Sequence, residues 1–139
     1  MSKENIEVVQ NLFEAVERRD LASVLAAYDE SVIIREAASL PYGGEYHGLE
    51  GAQRHAYSYV QAWGSVQTAD EQKMDAEFLD AGDCVVVRWR QRAARGERKF
   101  DSSAASVYKL RNGKIVESEM FQDTAAVLQF LKSEDKNAD

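Results

Sequence analysis

The apolar residues of this chain change their spacing about halfway along it, and this change constrains the fold more than any other feature. Up to Trp63 they recur every three or four residues, which is the period of an amphipathic helix. From Met74 to Gln122 they alternate with polar residues, which is the period of a strand with one buried face. A chain that is helical first and β-rich afterwards is typical of an α+β domain. We therefore expect helices packed on one face of a curled antiparallel sheet.

Three helices are predicted in the first part of the chain. They cover residues 3–18, 21–28 and 49–63, and Asp20 precedes the second helix as its N-cap. A β-branched run at residues 31–36 predicts one early strand. The only proline and three glycines fall within residues 37–48, which predicts a loop there.

Four strands and a short C-terminal helix are predicted in the second part. The strands lie near residues 74–80, 84–93, 102–110 and 115–122, and Asn112-Gly113 is the turn of the last hairpin. Asp123 precedes the last helix, which is expected over residues 124–131. The whole chain, residues 1–139, is interpreted as one domain with its core at about residues 4–131. Residues 132–139 are expected to be a polar, frayed tail.

Charge and cysteine content exclude several classes of function. The formal net charge of −7 opposes a broad surface for the phosphates of a nucleic acid. Cys84 is the only cysteine, so neither an intrachain disulfide nor a zinc site built from several thiolates is expected. The N-terminal residues lack the apolar core of a signal peptide, and no apolar run approaches the ~20 residues of a membrane span. We therefore expect a soluble cytoplasmic protein that binds neither nucleic acid nor a membrane.

Four local phrases resemble those of a known superfamily. They are LFEAVERRDL at residues 12–21, LPYGGEYHG at 40–48, NGKIV at 112–116 and FQDTAA at 121–126. Together with the order of the predicted elements, they resemble the nuclear transport factor 2 superfamily, and within it the SnoaL-like and ketosteroid-isomerase-like proteins. The resemblance covers about residues 4–131. It implies a cystatin-like α+β cone: a curled sheet wrapped on three N-terminal helices, with an internal hydrophobic pocket.

The resemblance implies less about activity, because this fold hosts enzymes and non-catalytic domains. The steroid isomerases place a tyrosine donor on the first helix, where this chain has Leu12. Their aspartate base corresponds to Arg35, although a shift of one residue would bring Glu36 to that place. Their second donor corresponds to Ser106. Leucine cannot donate a hydrogen bond and arginine cannot act as a base, so steroid isomerisation by that mechanism is not expected.

The pocket that the resemblance implies is expected between the first helix, the third helix and the inner face of the sheet, and the two periodicities predict which residues line it. His55 and Asp123 are the candidate catalytic residues for proton transfer. The other predicted lining residues, which would hold a small apolar organic molecule chiefly by burial, are Leu12, Val16, Tyr59, Trp89, Ser106, Tyr108, Met120 and Gln122.

Each candidate also has a plainer interpretation. His55 fits a partly exposed helix histidine, and Asp123 fits an N-cap that satisfies free backbone N–H groups. Arg88, Arg90 and Arg92 alternate with Trp89, so they share one face of the sheet, where Glu117 and Glu119 also fall. Cross-strand Arg–Glu pairs would explain this charged face without an anionic ligand.

Three classes of function follow from these observations. The first is acid–base chemistry without a cofactor, of the isomerase, cyclase or hydrolase type. The second is a non-catalytic carrier or sensor with the same pocket, and the third is a dimeric interaction domain. No metal site is expected, because His47 and His55 stand eight residues apart across a helix start.

A homodimer is predicted through the face of the sheet that the helices leave uncovered. Small and apolar residues lie there at Ser103, Ala105 and Val107. Arginines and glutamates flank them, so two copies of this face would be complementary to each other. The family resemblance implies the same arrangement.

Overall fold

The alternation of apolar and polar residues in the second half of the chain forms the greater part of a six-stranded sheet. The computed structural model describes the backbone of residues 2–137 and the side chains of residues 3–132. In chain order the elements are α1 (Ser2–Glu17), α2 (Leu21–Ala26), β1 (Tyr28–Glu36), β2 (Gly44–His47), α3 (Gly48–Trp63), a 3₁₀ turn (Gly64–Val66), β3 (Glu77–Ala81), β4 (Cys84–Arg95), β5 (Arg98–Arg111), β6 (Lys114–Phe121) and α4 (Thr124–Asn137).

The strands lie in the order β2-β1-β6-β5-β4-β3 in a curled sheet. All neighbours are antiparallel except β1 and β6, which pair in parallel. The expected α+β class, with helices on a curled sheet and a short C-terminal helix, is therefore confirmed. The parallel pair was not predicted, because the pattern of a strand does not show which distant strand it meets.

The three N-terminal helices cover the inner face of the sheet. Along β4 the residues that face the helices are buried, among them Val85, Val87 and Trp89, whereas Arg88 is exposed. The main core joins this face to α1 through residues such as Leu12 and Phe13. The prediction that Trp89 and the arginines of β4 lie on opposite faces is confirmed.

The ion pairs on the outer face differ from those predicted. Because β5 separates β4 from β6, the arginines of β4 cannot reach Glu117 and Glu119. Arg88 pairs with Glu77, and Arg90 pairs with Asp101. Arg92 pairs with Asp75 and Asp101. Glu117 pairs with Arg35 of β1 instead.

The segment predicted as one loop at residues 37–48 contains a short strand. Residues 37–43 make a compact turn in which the Gly43 N–H donates to Leu40 O. A Cβ atom on Gly43 would lie 2.2 Å from Ala37 O, so only glycine fits there. The next four residues, β2, then pair with β1. This strand was not predicted, because the proline and glycines of the segment are typical of turns.

The C-terminal helix is longer than predicted. Its N-terminal part packs on a second core, in which Val127 and Phe130 contact Trp63 and Phe100. The backbone of α4 continues to Asn137, so most of the expected polar tail is helical, while Ala138 and Asp139 lie outside the described residues. Among the helices of the described chain, none is both long and apolar enough to cross a lipid bilayer.

Candidate functional site

A cavity of about 150 Å³ lies between the three N-terminal helices and the inner face of the sheet. Apolar and aromatic side chains form most of its wall, from residues such as Phe13, Val24, Ala52 and Met74. An engineered cavity of similar size, about 150 Å³, binds benzene. The cavity therefore has room for one small ring.

Most of the residues predicted to line a pocket surround this cavity. The structure brings together Leu12, Val16, His55, Tyr59, Trp89, Ser106, Tyr108 and Met120. Leu12 and Val16 come from α1, His55 and Tyr59 from successive turns of α3, and the other four from the inner face of β4, β5 and β6. That these residues bind a ligand stays a prediction.

Two predicted site residues, Gln122 and Asp123, are not among those that line the cavity. Asp123 is exposed, and its Oδ1 accepts a hydrogen bond from the Ala126 N–H at 3.1 Å, which is an N-cap of α4. The plainer interpretation of Asp123 accounts for its geometry. No cavity contact supports the proton-transfer role predicted for it.

His55 forms a buried pair with a carboxylate that the prediction did not include among the site residues. Its Nε2 lies 2.7 Å from Oε2 of Glu36, the last residue of β1. The side chain of Glu36 is only 1% exposed and that of His55 is 14% exposed. The imidazole therefore lies between the cavity and a carboxylate that water does not reach.

Burial sets the protonation of this carboxylate. It raises the pKa of Glu36 above its ordinary value, while the hydrogen bond and the charge of His55 lower it by less. The second oxygen, Oε1, is buried and has no hydrogen-bond partner among the described residues. An oxygen in that position favours the protonated, neutral carboxyl group.

A shift of one residue in the comparison with the steroid isomerases explains why Glu36 was not selected from the sequence. Val32, Ile34 and Glu36 point inwards, and Arg35 points outwards to Glu45 and Glu117. In that comparison the position of the catalytic base falls on Arg35, one residue before Glu36, whose carboxylate is buried. The alternation with Val32 and Ile34 was the signal that could have identified it.

Aromatic rings hold the imidazole of His55 in place. The ring of Tyr46 packs edge-on at 5.1 Å between centroids, and that of Tyr59 at 6.3 Å. Among the described residues, Nδ1 of His55 has no hydrogen-bond partner, so one ring nitrogen is bound by Glu36 and the other is unoccupied.

A chain of hydrogen bonds connects the cavity wall to the second core. The hydroxyl of Tyr59 donates to Oε1 of Gln91, which also accepts from Nε2 of Gln122 at 3.5 Å. Oε1 of Gln122 in turn accepts from the hydroxyl of Tyr42 at 2.6 Å, and that hydroxyl accepts from Nε1 of Trp63 at 3.1 Å. Gln122 therefore supports Tyr59 from behind the wall. Because the Tyr59 proton is directed at Gln91, the hydroxyl oxygen of Tyr59 is left with only the capacity to accept a further hydrogen bond.

The wall formed by β4 and β5 carries a second polar group. Nε1 of Trp89 donates to Oγ of Ser106 at 3.1 Å, and both side chains are buried. Burial raises the pKa of the Tyr108 phenol well above its ordinary value, so Tyr108 keeps its proton. These hydroxyls are neutral in the site.

The described residues contain no group of three or more His, Cys, Asp and Glu side chains that could hold a metal ion. The polar atoms of the cavity wall are a histidine, neutral hydroxyls and one arginine, Arg19. Such a set suits proton transfer and hydrogen bonding to an organic molecule.

Comparison with known proteins identifies the family. The model of the SnoaL-like domain matches residues 9–118, which is most of the chain. This chain belongs to the SnoaL-like family. Its α+β cone is the fold of a SnoaL-like domain.

Solved structures agree with this assignment. The SnoaL-like chain is similar to an NTF2-like protein of unknown function from Burkholderia pseudomallei, with 26% identity and a TM-score of 0.80 over 92% of this chain and 97% of the other. It shares its fold with TerC, crystallised with polyporic acid, at 20% identity and a TM-score of 0.81 over 94% and 99% of the two chains.

A third similar structure comes from Jannaschia sp. CCS1 and is provisionally named a SnoaL-like polyketide cyclase. It has 17% identity and a TM-score of 0.77, with 94% of this chain and 93% of the other covered. No curated protein matches the chain. The comparisons therefore establish the family and the fold, and leave the reaction to be argued from the site.

Proposed function

We propose that this SnoaL-like domain is a cofactor-independent enzyme that moves a proton on a small, largely apolar organic molecule. His55 is the group that takes or gives the proton, and Glu36 positions it. The observation that carries the proposal is the 2.7 Å contact between His55 and the buried Glu36 at the edge of an apolar cavity. Isomerisation, cyclisation and hydrolysis all require such a step.

The pair of side chains has two forms that serve opposite roles. When Glu36 is ionised, it accepts the proton of Nε2, and Nδ1 of His55 carries a lone pair and acts as a base. When Glu36 is protonated, it donates to Nε2, and Nδ1 carries the proton and acts as an acid. Because burial raises the pKa of Glu36, the two forms lie closer in free energy than they would for an exposed glutamate.

The wall selects the substrate chiefly by size and polarity. The cavity of about 150 Å³ accepts one small ring, and its wall is mostly apolar. Burial contributes about 25 cal/mol per Å² of apolar surface, so the binding of such a ring depends on how much of its surface the wall covers. The solved structure of TerC with polyporic acid is consistent with an organic ligand in this fold.

A carrier or sensor that binds without turnover is the second candidate. It is favoured by the hydrogen bonds within the wall, because Tyr59 already donates to Gln91, and Ser106 already accepts from Trp89. His55 distinguishes the two candidates, since binding without turnover does not require a histidine hydrogen-bonded to a buried carboxylate.

We also propose that the domain works as a homodimer in the cytoplasm. Leu79, Val86 and Val107 stand opposite one another across β3, β4 and β5 on the outer face of the sheet. Leu79 and Phe121 are exposed there. A second copy of the chain would cover this apolar row, and the arginines and glutamates around it would pair across the interface.

The acid–base function is tested with a probe whose ring opens when a base removes one proton. Nitrobenzisoxazole opens when a base removes its ring C–H proton: the C–H electron pair forms the third bond of a nitrile, and the N–O bond breaks to leave a coloured phenolate. The rate is measured for the wild type, His55→Gln and His47→Gln. His47 is the matched control, because its Nε2 also bonds a glutamate, Glu45, at 2.9 Å, but on the exposed surface.

We expect His55→Gln to lose roughly 100-fold in rate, the lower range for a general base, and His47→Gln to keep the wild-type rate. Glu36→Gln should change the pH profile of the reaction, which a merely structural residue would not do. Equal rates in His55→Gln and His47→Gln would overturn the proposal. If the wild type binds the probe without opening it, the carrier is the better interpretation.

A further inference from the structure

Arg19 occupies a backbone position that favours glycine, at the mouth of the cavity. Helix α1 ends in a Schellman motif: the Asp20 N–H donates to Ala15 O at 2.9 Å, and the Arg19 N–H donates to Val16 O at 3.1 Å. Arg19 is the residue of this motif with left-handed geometry, and its φ is 58°. A residue with a Cβ atom is strained there, and glycine is not. An arginine in this strained position indicates that its side chain has a functional role.

The side chain of Arg19 reaches the cavity, and its charge is not compensated by a carboxylate. Arg19 lines the cavity and donates through Nη2 to Oε1 of Gln67 at 2.8 Å. That amide is neutral, so it orients the guanidinium without cancelling its charge. Among the described residues, no carboxylate forms an ion pair with Arg19, whereas Arg18 pairs with Asp20.

The carboxylates that neighbour Arg19 in sequence are both engaged elsewhere. Oε2 of Glu17 accepts from the Met74 N–H at 2.9 Å. Asp20 bonds Arg18 and caps α2 through Ser23. The charge of Arg19 does reach the wall, since it lowers the pKa of the Tyr59 phenol, against a larger rise caused by burial. Arg19 is the only arginine or lysine among the described residues that line the cavity, in a chain whose net charge is −7.

From these observations we infer that Arg19 recognises an anionic group of the ligand, so that the substrate class is a single apolar ring carrying a carboxylate or a comparable anionic oxygen. The ring enters the apolar cavity, and the anionic group stays at the mouth, where the guanidinium offers donors that Gln67 does not use. This inference rests on the proposed function, because it assigns the ligand of the same cavity.

Arg19 and His55 line the same cavity. A ligand whose anionic group binds Arg19 and whose ring fills the cavity therefore lies in the same space as the imidazole of His55. Phenylacetate carries one apolar ring and one carboxylate, and phenylacetamide is its neutral counterpart of nearly the same shape.

The test compares the binding of phenylacetate, phenylacetamide and toluene by calorimetric titration. The variants are Arg19→Gln, Arg19→Gly and the matched control Arg18→Gln, which removes an adjacent exposed arginine that does not line the cavity. We expect the wild type and Arg18→Gln to bind phenylacetate about tenfold more tightly than phenylacetamide. Arg19→Gln should lose this preference and still bind the neutral ligands.

Arg19→Gly separates the role of the side chain from that of the fold. It should lose the preference for the anion, and its urea midpoint should be no lower than that of the wild type, because glycine relieves the left-handed strain. Equal affinity of the wild type for the acid and the amide would overturn the inference, as would binding of toluene alone, while the cavity proposal would stand. If none of the three probes binds, both the inference and the proposed binding cavity are wrong.

Discussion

Nε2 of His55 lies 2.7 Å from Oε2 of Glu36, a carboxylate whose side chain is 1% exposed. The same chain contains a second His–Glu contact, between His47 and Glu45 at 2.9 Å, in which both side chains are largely exposed. Both contacts join a histidine to a glutamate, but Glu36 is buried, whereas Glu45 is exposed and also accepts from Arg35. They therefore allow an internal comparison between a buried glutamate and an exposed, ion-paired one.

The stability of the fold should depend on pH through Glu36. Burial raises its pKa above the ordinary ~4.3 of a glutamate, so the folded chain binds this proton more tightly than the unfolded chain. The protonated carboxyl group therefore stabilises the folded chain, fully below pH ~4.3, and this stabilisation is lost as the pH rises through the pKa of Glu36 in the folded chain. Glutamine does not titrate, so the free energy of unfolding of Glu36→Gln should rise relative to the wild type over this range. Urea denaturation at a series of pH values measures the difference.

Glu45→Gln is the control for this experiment, with the opposite sign. Hydrogen bonds from Arg35 and His47 lower the pKa of Glu45, so its contribution is present above the pKa of the unfolded chain and is lost as the pH falls. If the free energies of unfolding of Glu36→Gln and Glu45→Gln, each relative to the wild type, changed with pH in the same direction, burial would not determine the pKa of Glu36.

Met120→Trp should fill the cavity from the sheet side. Met120 lines the cavity, and the neighbouring Phe121 is exposed on the other face of β6. We expect Met120→Trp to weaken the binding of toluene roughly tenfold or more, because little of the cavity of about 150 Å³ would remain. Phe121→Trp should bind toluene as the wild type does. A loss in both variants would mean that the probe binds elsewhere.

Periodicity predicted the helices and strands of the fold and part of the cavity wall. The helical stripe of α1 placed Leu12 and Val16 inwards, and the alternation of β5 and β6 placed Ser106 and Met120 on the same inner face. These positions follow from local geometry, since a side chain's direction is set by the period of its own element. The family resemblance then supplied the arrangement of the elements, which periodicity does not contain.

Features that depend on distant or irregular backbone could not be predicted in this way. The pair of Glu36 and His55 requires β1 to lie beside α3, and a shift of one residue in the comparison replaced Glu36 by Arg35. The left-handed backbone of Arg19 has no sequence signal, because glycine is the usual residue there. The predicted pairing of Arg88, Arg90 and Arg92 with Glu117 and Glu119 was wrong because sharing a face of the sheet does not make two residues neighbours, and β5 lies between β4 and β6.

Gln91→Leu should destabilise the fold through the hydrogen bonds behind Tyr59. Gln91 is 2% exposed, and its Oε1 accepts from both Tyr59 and Gln122. Leucine would leave the Tyr59 hydroxyl buried without a partner, which costs about 1–3 kcal/mol. Urea denaturation measures the loss, and Gln129→Leu, an exposed site on α4, should change stability little.

A double variant identifies the cause of that loss. Tyr59→Phe removes the donor that Gln91→Leu leaves unpaired, so the combined variant should recover part of the lost free energy of unfolding. Additive losses in the two single variants would show that packing, and not the unpaired hydroxyl, explains the effect.

The outer face of the sheet should form the dimer, and Val107→Lys should break it. Val107 lies in the apolar row with Leu79 and Val86, and its partner on β6 is Glu119. Within one chain a lysine at this position pairs with Glu119, so the fold should survive, whereas in a dimer two copies of the charge would enter the apolar centre of the interface. Sedimentation at micromolar concentration should give about twice 15.6 kDa for the wild type and 15.6 kDa for Val107→Lys.

Tyr57→Lys, at an aromatic site on α3 that is 69% exposed, should remain dimeric. A wild-type mass near 15.6 kDa would rule out the dimer, and a dimer lost in Tyr57→Lys alone would move the interface to the helical side.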